Sequence, residues 1–282
     1  MKKKVKYLIM LLFILTSLSG CQTMTQFLAT QAEKISEGNP AQQEKVPKEY
    51  VKEDATSPIN LNVDLSEEQL ALIGDIPSGI ETSNWELILI NRENRIKYDL
   101  NWPLETTSSG QLIDQRMLRD FNAWAEQAEK DGYPLQLISG FRTIEHQENN
   151  FNHTVNGYLS QNYSEEEALE MTYRFQQPPG ASEHHTGLAI DIISQDFHQQ
   201  GGGLTRDFSE EESYSYYTDT MVNYGFILRY PEEKTDITGV YFEPWHYRYV
   251  GKENAKFMTE NNLSLEEYYA LIETRDNQLR VE

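Results

Sequence analysis

Two short stretches of the sequence carry the residues that could do chemistry. The first contains His184 and Asp191, and the second, further along the chain, contains Glu243 and His246. Two imidazoles and one carboxylate form a common ligand set for catalytic zinc, which keeps a fourth position open for water. The remaining carboxylate can then act as a base toward that water. Imidazole nitrogens favour zinc over harder ions such as magnesium.

The residues around Asp191 predict a loop that leads into a buried strand. Residues 178–180 read Pro-Pro-Gly, which cannot continue a helix, and residues 187–193 are largely apolar. A charge in such a strand is costly unless it is paired or bound to a metal. Asp191 is therefore predicted to be a metal ligand or a salt-bridge partner. For Glu243, the alternative to a base is a structural ion pair.

The order of these motifs resembles a known family. Residues 182–191 read Ser-x-His-x-x-Gly-x-Ala-x-Asp, residues 243–246 read Glu-Pro-Trp-His, and residues 139–142 read Ser-Gly-Phe-Arg. This set is similar to the zinc D-alanyl-D-alanine carboxypeptidases of the vancomycin-resistance Y type, which cut peptidoglycan stem peptides. The resemblance covers residues 84–260. It implies the zinc ligands His184, Asp191 and His246, with Glu243 as general base and acid.

Four other residues are predicted to serve the reaction. The guanidinium of Arg142 could stabilise the oxyanion or bind the terminal carboxylate of the substrate, and the sequence does not choose between these roles. Ser182 is a candidate for positioning substrate or for hydrogen bonding to a ligand residue. Gln147 and Trp245 are candidates for lining the cleft. His185 lies on the wrong step of the family motif and is left out of the site.

The N-terminus predicts an exported lipoprotein. Residues 1–20 combine a lysine-rich start with an apolar run too short for a comfortable transmembrane helix. The run ends in Leu-Ser-Gly-Cys, which resembles the bacterial lipobox and places Cys21, the only cysteine, at the lipidation position. We expect cleavage before Cys21 and acylation there, with an uncleaved anchor or an ordinary secretion signal as the alternative. The expected location is extracytoplasmic, on the bacterial cell membrane.

The rest of the chain is predicted to divide into a tether and one catalytic domain. Residues 21–60 are rich in Gln, Glu, Lys, Thr and Pro and predict a flexible tether, whereas residues 61–282 form the predicted zinc carboxypeptidase domain. The formal net charge of −21 argues against nucleic acid as a partner. We expect a monomer whose partners are the stem peptide and, through the lipid, the membrane.

The predicted fold class is α+β, with a small antiparallel sheet flanked by helices and a zinc site in the cleft. We predict a helix over residues 111–131, because its apolar residues recur at helical spacing. Helices are also predicted from Thr143 and Ser164. The predicted strands are residues 85–90, 135–139, 187–193, 226–230 and 240–243, the last delivering Glu243 and His246 at its end.

These observations predict hydrolysis of the bond to a terminal D-alanine in peptidoglycan stem peptides. An L,D-carboxypeptidase acting on the tetrapeptide and a peptidoglycan endopeptidase stay open, because pocket shape decides which bond is cut. A non-catalytic wall-binding lipoprotein would have no use for Glu243, and a zinc-storing lipoprotein would leave no open coordination position. The sequence lacks the Ser-x-x-Lys motif of the penicillin-sensitive serine enzymes.

Overall fold

The computed structural model describes residues 59, 61 and 63–281. The predicted signal peptide, the predicted lipidation site Cys21 and nearly all of the predicted tether lie outside these residues. Within the part of the chain that the structure describes, no helix is both long enough and apolar enough to cross a membrane.

A small antiparallel sheet lies at the centre of the domain. Strands β1 (Leu104–Thr106) and β2 (Leu112–Asp114) form a separate two-stranded sheet. The central sheet has the order β3-β4-β6-β5, made of β3 (Leu135–Ser139), β4 (Ala189–Ser194), β5 (Phe226–Leu228) and β6 (His246–Tyr249). All of its neighbouring strands are antiparallel. The predicted α+β class with a small antiparallel sheet is therefore confirmed.

Nine α-helices accompany the sheets in the described residues. They are α1 (Glu67–Leu70), α2 (Leu118–Lys130), α3 (Ile144–Ser160), α4 (Glu165–Tyr173), α5 (Gln195–Gln199), α6 (Glu212–Thr220), α7 (Thr235–Thr238), α8 (Lys252–Glu260) and α9 (Leu265–Val281). Both predicted helix starts are confirmed: the Thr143 side chain accepts from His146 N–H before α3, and Ser164 forms a capping box with Glu167 before α4. These caps satisfy amide groups that a helix start leaves without partners.

The predicted apolar stripe of the first long helix is core, but the helix is shorter than expected. Met117 and Trp124 are fully buried in the same hydrophobic cluster as Ile113. Ile113, however, lies in β2, and α2 begins at Leu118. The prediction of one helix over residues 111–131 was therefore wrong at its start, because residues 112–114 pair with β1 instead.

Residues 85–90 do not form the predicted strand. Residues Trp85–Leu87 form a 3₁₀-helix, and Leu87 belongs to a second hydrophobic cluster that includes Leu271 of α9. The guanidinium of Arg248 donates to the backbone carbonyls of Glu86 and Ile88, at 2.9 and 2.8 Å. A side chain distant in sequence thus occupies the acceptors that a neighbouring strand would have used.

The prediction of a strand over residues 240–243 was also wrong. The chain there is irregular, and the N–H of Glu243 donates to the carbonyl of Tyr230 at 3.1 Å. Strand β6 begins only at His246, so Glu243 lies in the loop before the strand and His246 is its first residue. The two residues still come together, at the start of a strand and not at its end.

Candidate active site

His184 is oriented by the backbone on which it lies. It belongs to the 3₁₀-helix Glu183–Thr186, directly before β4, and its Nδ1 lies 2.7 Å from the carbonyl oxygen of Gly140. A carbonyl only accepts hydrogen bonds, so Nδ1 carries the proton and Nε2 keeps its lone pair. Nε2 lies 3.2 Å from Oδ2 of Asp191. His184 therefore presents the nitrogen that a metal would need toward Asp191.

The close packing around His184 depends on glycine. The turn of His184 ends at Gly187, whose φ of 71° is in the left-handed region. A Cβ on Gly187 would also lie 2.9 Å from a side-chain carbon of Leu104 and 3.0 Å from the amide of Asp114. Only glycine combines that backbone conformation with so close an approach.

Strand pairing brings Asp191 and His246 together. The register of β4 and β6 places Asp191 opposite His246, and Oδ1 of Asp191 lies 3.1 Å from Nδ1 of His246. His184, Asp191 and His246 are all buried and each offers one ligand atom, with these atoms within 4.8 Å of one another. The sheet thus joins two residues that are far apart in the sequence.

The three side chains fit a zinc ion. Ligand atoms at tetrahedral positions around zinc lie about 3.3 Å from one another, close to the 3.1 and 3.2 Å observed between Asp191 and the two imidazoles. Among the described residues, Oδ1 of Asp191 is buried without a hydrogen-bond partner, as a metal-binding oxygen would be without its ion. Burial alone would raise the pKa of Asp191, but the two histidines outweigh it and hold that pKa well below its usual range.

Glu243 lies beside this group in a different environment. Its Oε2 is 3.6 Å from Nδ1 of His246, and the residue is 9% exposed. Burial raises the pKa of Glu243 to about 8, an effect that His246 opposes and Asp191 reinforces. A carboxyl group with a raised pKa can both take up and give back a proton near neutral pH, which is what an acid and base catalyst must do.

Arg142 is held in place by several partners. Its Nη1 donates to Oε1 of Gln147 at 2.6 Å, and its Nη2 donates to Oγ of Ser139 at 3.1 Å. Nη2 also lies 3.6 Å from Oδ2 of Asp191. Gln147 is buried and its own amide donates to the carbonyl of Gln177 at 2.6 Å. In this structure Gln147 fixes the guanidinium close to the three candidate ligands.

Ser182 and Trp245, the other two candidate substrate residues, flank the site on the chain. Ser182 is buried and its carbonyl accepts from the N–H of His185 at 3.1 Å. Trp245 is partly buried against the main hydrophobic cluster, and its carbonyl accepts from the N–H of Ile192 at 2.9 Å. A role for either side chain in binding substrate stays a prediction.

His185, which the sequence argument left out, has a supporting position. Its Nδ1 lies 2.6 Å from the carbonyl of Arg142, and its Nε2 accepts from the N–H of Gly180 at 3.1 Å. Burial lowers the pKa of His185 to about 4, so the ring is neutral at physiological pH. His185 thereby ties the backbone of Arg142 to the loop that precedes His184.

Sequence reasoning missed a buried charge network behind His246. Glu183 is fully buried between Arg229 and Arg248, and Arg229 also pairs with Glu266. A partial signal was present for Arg229, which lies in the predicted strand over residues 226–230, because a charge buried in a sheet requires a partner. What the sequence could not indicate was which acid supplies the pairing.

The comparisons with known proteins agree with this site. The sequence model of the VanY family, described as D-alanyl-D-alanine carboxypeptidase, matches residues 110–252. The chain belongs to the VanY family. This match includes Arg142 and all four residues of the candidate metal and base site. As a VanY member the chain is an enzyme, a metallocarboxypeptidase.

Individual relatives extend the match to two thirds of the chain. A D-alanyl-D-alanine carboxypeptidase of Enterococcus faecalis is 39% identical over 189 residues, which are 67% of this chain and 67% of that protein. A solved structure shows the vancomycin resistance D,D-pentapeptidase VanY from a VanB-type cassette, as a Glu-to-Ala mutant in complex with Zn(II). It is 38% identical with a TM-score of 0.58, covering 66% of this chain and 99% of that one.

A solved relative with a different specificity also matches. The LdcB LD-carboxypeptidase is 31% identical, with a TM-score of 0.56, and the match covers 67% of this chain and 89% of that one. The same fold therefore supports cleavage of two kinds of linkage among its relatives.

Proposed function

We propose that this protein is a zinc D,D-carboxypeptidase that removes the terminal D-alanine from peptidoglycan stem peptides. The observation that carries the proposal is the convergence of His184, Asp191 and His246, with Glu243 beside them as a carboxylate left over for proton transfer. The D,D-pentapeptidase relative in complex with Zn(II) supports both the metal and the linkage.

The residues divide the reaction between them. His184, Asp191 and His246 hold zinc, which when bound supplies a Lewis acid that makes the attacking water more acidic and polarises the scissile carbonyl. Glu243 takes the proton from the attacking water as the new C–O bond forms. It then donates that proton to the nitrogen of the departing D-alanine as the C–N bond breaks. Glu243 thus returns to its starting state after each turnover.

Arg142 supplies a positively charged guanidinium that binds an oxygen of the substrate. Its guanidinium is fixed by Gln147 and Ser139, so little conformational freedom is lost when a substrate oxygen binds. It serves either the oxyanion that develops on the carbonyl or the carboxylate of the terminal D-alanine. Ser182 and Trp245 are proposed to contact the peptide beside the scissile bond.

The second candidate function is L,D-carboxypeptidase activity on the tetrapeptide. The match to the LdcB LD-carboxypeptidase favours it, although less strongly than the D,D-pentapeptidase match at higher identity favours the first. The metal, the base and Arg142 would act in the same way on either bond. What differs is the stereochemistry of the residue that precedes the departing D-alanine.

One experiment tests both candidates. Zinc-loaded protein is incubated with a synthetic stem pentapeptide and with a tetrapeptide, and the products are identified by mass spectrometry. We expect the pentapeptide to lose one alanine, the tetrapeptide to remain intact, and a chelator to abolish the reaction. Loss of alanine from the tetrapeptide alone would favour the L,D function. No loss from either peptide, in protein that holds zinc, would overturn the carboxypeptidase proposal.

We also propose that the enzyme is attached to the outer face of the cell membrane through a lipid on Cys21. The proposal is supported by the lysine-rich start, the short apolar run and the position of the only cysteine directly after Leu-Ser-Gly. A lipid anchor would hold a monomeric catalytic domain next to newly exported peptidoglycan, which carries the stem peptides that it cleaves.

A further inference from the structure

A buried carboxylate that the proposed chemistry does not use lies directly behind His246. Glu183 is 1% exposed, and its Oε1 accepts from Nε of Arg229 and from Nη1 of Arg248, both at 2.8 Å. Its other oxygen, Oε2, lies 3.6 Å from Nε2 of His246. Burying a carboxylate is costly even when it is paired, so a site that retains one invites a functional explanation.

The His246 ring lies between two carboxylates that face its opposite nitrogens. Its Nδ1 is 3.1 Å from Oδ1 of Asp191, on the side of the candidate metal site, whereas its Nε2 faces Oε2 of Glu183. Both Nε2 of His246 and Oε2 of Glu183 are buried without a hydrogen-bond partner among the described residues. Each is therefore the other's available partner.

The chemistry of imidazole then assigns the proton. A neutral ring that offers Nδ1 to a metal must carry its proton on Nε2. A buried N–H without an acceptor is costly, and metal-binding histidines commonly donate their second N–H to a carboxylate. We propose that Glu183 is a positioning residue. Its Oε2 accepts a hydrogen bond from Nε2–H of His246 and so holds the imidazole ring with Nδ1 directed at the metal.

The network around Glu183 suits it to this task. Arg229 is held by two hydrogen bonds from its guanidinium to Glu266 of α9, at 2.9 and 2.6 Å. Arg248 donates to the backbone carbonyls of Tyr249, Glu86 and Ile88 as well as to Glu183. Both arginines are thus fixed from several directions, and the carboxylate between them cannot rotate away from His246.

Glu183→Gln is the variant that tests the inference. The side chain keeps its shape, but its carbonyl oxygen is attracted to the two guanidinium groups, so its NH₂ group turns toward Nε2 of His246. Two donors then face each other, and the ring loses its acceptor. Loss of a residue that hydrogen-bonds a metal ligand typically lowers metal affinity roughly 10- to 100-fold. We expect a fall in zinc affinity of that size.

Glu266→Gln is the matched control. Glu266 is buried like Glu183, at 3% exposed, and pairs with the same Arg229, but the carboxylates within 4 Å of the His246 ring nitrogens in the described residues are those of Asp191, Glu183 and Glu243. We expect both variants to lower the melting temperature of the zinc-free protein, whereas only Glu183→Gln should weaken zinc binding. Zinc affinity is measured by competition with a chelating dye. If Glu183→Gln binds zinc as tightly as the wild type, the carboxylate is merely structural and the inference is overturned.

A measurement on the wild type covers the case in which Glu183→Gln does not fold. Nuclear magnetic resonance of cadmium-loaded protein with labelled histidines should show coupling of the metal to Nδ1 of His246 and a protected proton on Nε2. Coupling to Nε2 would overturn the inference. The inference rests on the proposed role of His246 as a ligand, so wild-type protein that binds no zinc would overturn both. Equal zinc binding by the wild type and by Glu183→Gln would overturn only this inference and would leave the proposed function standing.

Discussion

Oε2 of Glu243 and Nδ1 of His246 lie only 3.6 Å apart, yet their surroundings suit the first to proton transfer and the second to metal binding. Burial lowers the pKa of His246, but the nearby carboxylates of Asp191 and Glu183 outweigh it and raise that pKa to about 9. A ring that attracts a proton so strongly also attracts a metal cation in its place. Burial raises the pKa of Glu243 as well, and that carboxyl is free to exchange a proton with substrate and water.

We expect Glu243→Gln to keep zinc and to lose turnover. The amide cannot accept a proton from water, so kcat should fall by about 10²- to 10⁴-fold. His246→Ala is the comparison, because it removes a proposed ligand and should lose zinc and turnover together. Zinc per chain is measured by atomic absorption alongside the rate of alanine release. A Glu243→Gln enzyme with near wild-type kcat would rule out the assignment of the base.

The role of Arg142 can be resolved with Arg142→Lys. A lysine cannot hold Gln147 and Ser139 with one planar group, so we expect kcat/KM to fall about 100-fold while zinc is retained. A fall confined to kcat indicates the oxyanion, and a rise confined to KM indicates the terminal carboxylate. Arg174→Lys, at an exposed ion pair with Glu170, should leave both constants unchanged. Unaltered kinetics in Arg142→Lys would remove Arg142 from the reaction.

At the scale of the elements, the contact between β2 and the loop after β3 helps to orient His184. The loop after β3 passes so close to β2 that the N–H of Phe141 donates to the carbonyl of Leu112 at 2.6 Å. A Cβ on Gly140 would collide with that same carbonyl. The carbonyl of Gly140 in turn binds Nδ1 of His184. Contact between this loop and β2 therefore determines how a proposed metal ligand is directed.

We expect Gly140→Ala to lower the free energy of unfolding by about 1–3 kcal/mol, because the added methyl group forces the two segments apart. The same movement should weaken zinc binding through His184. Gly157→Ala is the control. Gly157 lies inside α3 with open space at its Cβ position, so alanine there should stabilise by about 0.5–1 kcal/mol. Denaturant unfolding with and without zinc measures both effects. Equal stability of the two variants would contradict the packing argument.

For the molecule as a whole, the acidic composition and the N-terminal segment bear on how the enzyme could be attached to the membrane. The net charge of −21 gives no electrostatic attraction to anionic membrane lipids or nucleic acids. Attachment to the membrane would therefore depend on the proposed lipid, since charge cannot provide it. The catalytic groups are contributed by residues 142–246, well separated in sequence from Cys21.

We expect Cys21→Ser to release the full-length protein from the membrane fraction of bacterial cells. The substitution removes the thiol to which the proposed lipid would be attached, while the purified variant should retain carboxypeptidase activity on soluble peptide. Cell fractionation followed by immunoblotting measures the distribution. A Cys21→Ser protein that stays with the membrane as fully as the wild type would indicate an uncleaved anchor instead.

The sequence by itself determined the local and chemical features of this protein. Helix starts at Thr143 and Ser164 depend on groups only three residues apart in the chain, so local sequence suffices to predict them. The ordered motifs around His184 and His246 indicated the family and its metal chemistry, because ligand type and spacing are written in the chain.

Tertiary structure alone decided the features that join distant residues. Arg248 donates to the carbonyl of Glu86, 162 residues away, and so occupies an acceptor that strand pairing would need in a segment with a strand-like pattern. The pairing of β4 with β6 places Asp191 opposite His246, and Glu183 finds its arginines only in the folded core. Local pattern cannot encode such pairings, because their free energy depends on which buried groups the whole fold brings into contact.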